Sequence, residues 1–282
     1  MNKKRLIIGA FIAIVVYASV WFLIKSFADP THVFWLTAYN MRLKNGYDYT
    51  AFDLFGPLHL AELGLGLVTS VIGYNLFKRA SAESKQRTLV ILSVMILCEE
   101  ILKDIVIIAT GQFQYDHLPF HLCGVNIFIA LWFAIRPNDY LAEYLYAIGL
   151  PGTWVALITT SWQACPIYNF NHIHSVIFHI MLAVFCILVL AGGFRPHIWH
   201  IYRVFIVLLG TCIPAIICNA LFDTNFFFLK RTENNPILEA ISTLCGRFYL
   251  LGLGALAIVF VLFMYIPWII TDIIKCIKKR KA

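Results

Sequence analysis

Phe248–Ile270 reads FYLLGLGALAIVFVLFMYIPWII, 23 residues without a charge. At about 1.5 Å of rise per residue, a helix of this length crosses the roughly 30 Å hydrocarbon core of a bilayer. Lipid offers no hydrogen bonds, so the backbone must satisfy itself, and a run this long does so as a helix. Working back along the chain, comparable stretches occur at Leu6–Phe27, Phe55–Phe77, Leu89–Thr110, Leu141–Ser161, Ser175–Phe194 and Tyr202–Phe222. A shorter one, Leu118–Ile135, is expected to start its helix at Pro119 and stops before Arg136-Pro137.

Composition agrees. Hydrophobic residues make up 61% of the 282 and charged residues 13%, with a mean hydropathy of +0.80. A soluble domain carries about a quarter charged residues. The expected fold is an all-α, polytopic membrane helical bundle of about eight spans, a seven-helix core plus an N-terminal helix.

Charge sets the expected orientation. With eight spans and a cytoplasmic N-terminus, the inner segments hold Lys3, Lys4, Arg5, Lys78, Arg79, Lys85, Arg87 and Arg136. They also hold Arg195, Arg203, Lys275, Lys278, Lys279, Arg280 and Lys281, while the outer loops hold only Arg42, Lys44, Lys230 and Arg231. That is a strong positive-inside bias, and it needs the short span. Both termini are then cytoplasmic and the plasma membrane is the expected location. The net charge of +7 reads as topology, and no nucleic-acid partner is expected. Met1–Phe27 begins like a signal peptide but is long and lacks a small-x-small cleavage site, so it is expected to stay as a span. The chain divides into residues 1–54 (first helix and outer loop), 55–271 (membrane core) and 272–282 (basic tail).

Ionisable groups inside spans are costly, which makes each a functional candidate. His59 and Glu62 share a helix face, and Glu99, Glu100, Lys103 and Asp104 follow in the third span, where Glu99–Lys103 has ion-pair spacing. His117, His121, Cys123 and Asn126 stand at the start of the short span. His172, His174 and His179 open the sixth, and Asn219 and Asp223 end the seventh. All fall in the expected outer half, which points to a polar cavity opening to the outer leaflet. Each has a plainer reading: Glu62 pairing with His59, Glu99 with Lys103, and Asn126 and Asn219 bonding between helices. His117 and His121 are four apart, but Pro119 breaks the helix face, so no metal is expected, nor any cofactor. The eight cysteines lack metal spacing; only Cys165 and Cys245 lie where an outer disulfide would form.

The segment His117-Leu-Pro-Phe-His121-Leu-Cys123 resembles the signature of the YwaF-type membrane proteins of bacteria and of animal transmembrane protein 164. Phe55-Gly-Pro-Leu-His59, Gly149-Leu-Pro-Gly152-Thr-Trp-Val-Ala-Leu-Ile-Thr159, His179 and Asn225-Phe-Phe-Phe-Leu-Lys-Arg follow in the order of that family. The chain departs from it at Thr159-Thr160-Ser161-Trp162 and at Thr243-Leu-Cys-Gly-Arg-Phe. The resemblance implies a lipid acyltransferase or lipid-ester hydrolase, with Cys123 as nucleophile and His179 as base. A thiol is weakly ionised at neutral pH and less so when buried, so it needs such a partner. His59, Glu62, Lys103, Asp104, His121, Asn126 and Asn219 would support the site, with His121, Asn126 or Asn219 as oxyanion donors. Membrane phospholipid would then be both solvent and substrate. Two other readings stay open: a proton- or ion-coupled small-molecule transporter working through Glu62, Glu99, Glu100, Lys103 and Asp104, and a non-catalytic membrane scaffold.

Overall fold

The computed structural model describes residues 29, 31–233 and 236–281. The expected first span, Leu6–Phe27, lies outside them. The regular elements among the described residues are all helices, joined by loops, with no strand.

A short helix, α1 (Ala38–Asn45), precedes α2 (Pro57–Arg79) and α3 (Ala82–Ala109). Then come α4 (Leu122–Ile135), α5 (Asp139–Ile158), α6 (Phe170–Ala191) and α7 (Ile201–Phe222), followed by α8 (Pro236–Cys245) and α9 (Tyr249–Lys281). Local chemistry sets the starts. Thr37, Ser81, Asn138 and Asn169 each accept a backbone N–H of the following first turn, and Pro57 occupies the first turn of α2, where a missing N–H costs nothing.

Among the described residues, six helices are long and apolar enough to cross a membrane: Pro57–Arg79, Tyr115–Ile135, Asp139–Ile158, Phe170–Ala191, Ile198–Phe222 and Ile237–Lys278. The α3 helix is long enough too, at 28 residues, but Glu99, Glu100, Lys103 and Asp104 interrupt its apolar run. Leu67, Ile72 and Leu76 on α2, Leu209 and Ile213 on α7, and Leu251, Val259 and Phe263 on α9 are all exposed. A surface this apolar would aggregate in water, and lipid is its natural solvent. The protein is an integral membrane protein with several spans.

Helices α5 and α6 form the centre. Helix α6 packs along α2, α3 and the second half of α5, while the first half of α5 packs on α7. The α2–α6 approach uses small residues: a Cβ at Gly66 would touch Ile180, and one at Gly73 would touch Val184. Helix α5 contains a π stretch, Leu145–Gly149, just before Pro151. The wider turn suits Pro151, which has no N–H to donate to the helical ladder and whose ring would crowd the carbonyl of the preceding turn.

Some boundaries differ from expectation. Pro119 lies outside α4, which is capped by His121 in extended conformation and begins at Leu122. The reason is steric: the Pro119 backbone folds back over Gly124 of the first turn. The segments between the long helices contain the short α1 and the amphipathic α8. Cys165 and Cys245 are both free: the Cys165 thiol faces the Leu36 carbonyl, whereas Cys245 Sγ lies against Gly252.

Candidate functional site

The loops 31–56, 110–121 and 159–169 gather at one end of the bundle, called the mouth below, and enclose a cavity of about 250 Å³. Its wall includes Glu100 and Lys103 of α3, His117 and His121 of the connecting turn, and Cys123 and Gly124 of α4. Trp162, His174, Ser175 and His179 also line it, as do Thr37, Asp116, Ser161 and Asn171.

Cys123 stands in the first turn of α4. The first helical hydrogen bond runs from Val125 N–H to His121 O (2.9 Å), and no side chain caps this end. The N–H groups of Leu122, Cys123 and Gly124 therefore precede the ladder, and the positive end of the helix dipole falls on the thiol. The turn before it folds back so tightly that a Cβ on Gly124 would lie 2.8 Å from the Pro119 backbone. Pro119 cannot be a helical residue while its backbone occupies that place. At the next contact, a Cβ on Gly152 would lie 3.1 Å from Leu122, so this glycine lets α5 close on the same turn.

His179 is 7% exposed. Its Nδ1 is 2.7 Å from the Ser175 carbonyl. A carbonyl only accepts, so Nδ1 carries the hydrogen and Nε2 the lone pair. The imidazole stacks on Trp162 with ring centres 5.2 Å apart and meets the edge of Phe178 at 5.1 Å. A base with a fixed tautomer and a fixed ring plane thus shares the cavity with a thiol on a helix N-terminus.

Residues 54–265 match the profile of the TMEM164 family. The chain belongs to the TMEM164 family. No curated protein and no solved structure gives a match.

In this TMEM164-family chain the charged wall is arranged differently from the spacing-based expectation. Lys103 Nζ donates to Glu100 Oε1 (2.5 Å) and to the His117 carbonyl (3.2 Å) and lies 3.2 Å from Asp104. Glu99 instead faces His174 Nδ1 at 3.5 Å. Both partners are within reach of Lys103 on a helix. Glu100 turns into the buried side (9% side-chain exposure) while Glu99 stays near the surface (31%), and the buried lysine takes the buried acid.

His59 and Glu62 do not line the cavity, and they do not pair with each other. His59 Nδ1 accepts the Phe55 N–H (2.8 Å), and its Nε2–H donates to the Leu157 carbonyl (2.8 Å), which clamps the start of α2 to α5. Glu62 pairs with His172 Nε2 at 2.6 Å, and His172 Nδ1–H donates to the Cys165 carbonyl at 2.9 Å. Asn219 closes the turn after α7, where its amide donates to the Phe226 carbonyl (3.0 Å) and accepts the Phe226 N–H (2.7 Å). Asn126 is fully buried, one turn below Cys123 and beside Gly149. Neither of its amide atoms has a partner among the described residues.

Two groups escaped the sequence reading. Trp162 closes the cavity against His179, a contact across a turn that no periodicity announces. At the opposite end, Glu143 is completely buried. It accepts Tyr265 O–H (2.5 Å) and the His197 N–H (3.3 Å), with His200 Nδ1 at 3.4 Å. Glu143 lies four residues past a helix start, where a carboxylate reads as interfacial. Among the described residues, no group of three potential ligands could hold a metal.

Proposed function

We propose that the chain is a thiol-dependent lipid acyltransferase or lipid-ester hydrolase, with Cys123 as nucleophile and His179 as base. One observation carries this reading: both groups line one cavity, the thiol on an uncapped helix N-terminus and the imidazole with Nε2 left for a proton.

Nε2 of His179 takes the thiol proton as Sγ attacks the carbonyl carbon of a phospholipid ester. The S–C bond forms and the C=O pair moves to oxygen. The N–H groups at the start of α4 face that developing charge. Collapse breaks the ester C–O bond, and the leaving lysolipid alkoxide takes the proton from His179. A second lipid hydroxyl, or water, then gives its proton to His179 and attacks the thioester. Breaking the S–C bond returns the thiolate, which recovers the proton. The positive-inside pattern supports a site in the outer half of the bilayer and fits a plasma-membrane protein.

The transporter reading gains less support, since Lys103 is already held by Glu100, Asp104 and a backbone carbonyl. The test uses purified protein in vesicles of labelled phospholipid with a lysolipid acceptor. Cys123→Ala should abolish transfer and the acyl-thioester intermediate, and His179→Gln should slow transfer by about 10²–10⁴. Full transfer by Cys123→Ala would falsify the proposal.

A further inference from the structure

We infer that the indole N–H of Trp162 is an oxyanion donor of the same site, acting beside the N–H groups that open α4; this rests on the acyl-transfer reading above. The starting observation is an unmet donor. Trp162 is 5% exposed, it lines the cavity, and its Nε1 has no hydrogen-bond partner among the described residues. An indole N–H can only donate, and when buried it normally finds an acceptor. A fold that encloses such a group without one gives up stability unless something else takes the bond.

Its place is fixed from several directions. Cys165 N–H donates to the Trp162 carbonyl (2.8 Å), and Ala51 N–H donates to the carbonyl of the neighbouring Gln163 (2.8 Å). The Gln163 side chain bonds the Phe52 carbonyl (3.0 Å). The indole packs in a cluster with Leu36, Met41, Leu157 and Val176. Its face lies on the imidazole of His179 at 5.2 Å. The indole is thus rigidly held and stacked on the base, and Trp162 lines the cavity that also holds the thiol. A carbonyl carbon attacked by Cys123 with its leaving oxygen near His179 Nε2 leaves its other oxygen to the remaining donors of the wall. Among them are the N–H groups of Cys123 and Gly124 on one element and Trp162 Nε1–H on another, whereas the Lys103 ammonium in the same wall is already engaged by Glu100 and the His117 carbonyl. Donors already held in place need no reorganisation as charge develops, which is the condition for oxyanion catalysis.

Trp162→Phe keeps a stacking ring and removes the N–H. Acyl transfer and Cys123 alkylation by iodoacetamide are measured on the same vesicles. Alkylation is a displacement at carbon and develops no oxyanion. The expected result is turnover lowered about 10²–10³-fold with KM and the alkylation rate within a few-fold of the parent. Unchanged turnover in Trp162→Phe overturns the inference, as does an equal loss in alkylation, which would make Trp162 a support for His179 only. Should Trp162→Phe fail to fold, replacing the indole by benzothiophene, which exchanges only the N–H for sulfur, decides by the same two outcomes. Cys123→Ala runs alongside: if it transfers acyl groups, the underlying reading falls; if it is dead while the Trp162 variants are fully active, only this inference does.

Discussion

Gly124 lies directly beneath the backbone of Pro119, close enough that a Cβ would come within 2.8 Å of the Pro119 Cα and carbonyl carbon and 2.9 Å of its oxygen. Real Cβ contacts are not that short, and the obstacle is backbone, which has no rotamer to yield. Gly124→Ala must therefore push the Leu118–Phe120 turn away from α4, together with His117 and His121. Local repacking of this kind costs about 1–3 kcal/mol. The expected outcome is a folded protein of lower thermal midpoint that has lost most Cys123-dependent turnover. A parent-like midpoint in a thermal melt would show that the turn yields freely.

The ion pair on the cavity wall makes a different kind of prediction. Lys103 and Glu100 are 15% and 9% exposed at the side chain, so removing Lys103 leaves Glu100 buried without its lysine, whereas Lys103 without Glu100 still has Asp104 at 3.2 Å. Lys103→Met alone should cost about 3–5 kcal/mol, whereas Lys103→Met with Glu100→Gln should recover most of that loss. A double-mutant cycle on thermal stability in detergent reads this directly. If the two single losses simply add, the pair is not coupled in the folded protein.

These contrasts show where the sequence was legible. Hydropathy marked every long helix from α2 onward, because lipid admits only one solution for an apolar backbone and the run lengths state it. It also brought Cys123, His179, Lys103 and His121 to one end of the bundle, and those four line one cavity. Partner choice was not legible. Glu99 and Glu100 are both within helical reach of Lys103, and only burial selects Glu100. Glu62 meets His172 rather than His59 because α2 and α6 touch there, a fact of packing and not of spacing. Trp162 and Glu143 carried no signal of their contacts: one meets His179 from a turn, the other meets His197, His200 and Tyr265, all remote in the chain.

Cys165 provides a pH signature outside the spans. Burial pushes its thiol up to about 12 from an ordinary 9.0. In the folded chain the proton is held more tightly than in the unfolded one, so this contribution to stability is complete below about pH 9. It is lost as pH rises towards 12. Thermal midpoints should fall over that window, and Cys165→Ala should flatten the slope while lowering the midpoint at pH 7. The same burial should leave Cys165 unlabelled by iodoacetamide at pH 8. Rapid modification there, in folded protein, contradicts the assignment.

Helix α9 is held at the end away from the mouth. Tyr265 O–H donates to the buried Glu143 at 2.5 Å, Tyr146 O–H donates to the Met264 carbonyl at 2.5 Å, and Trp268 Nε1–H donates to Tyr146 at 2.8 Å. Arg195 pairs with Asp272 beyond them. Near the mouth, α9 presents mainly exposed apolar side chains such as Leu250 and Leu251. Tyr265→Phe removes one donor from a carboxylate that water cannot reach, and a buried group left short of a hydrogen bond costs about 1–3 kcal/mol. The loss should appear as a lower thermal midpoint and as faster proteolysis at the α9 end. Glu143→Gln, which keeps an acceptor for Tyr265, should cost less. Because the cavity lies at the other end of the bundle, turnover per folded molecule should stay unchanged in both variants. A selective loss of turnover in Tyr265→Phe at unchanged stability would tie this end of the helix to the chemistry and contradict the separation drawn here.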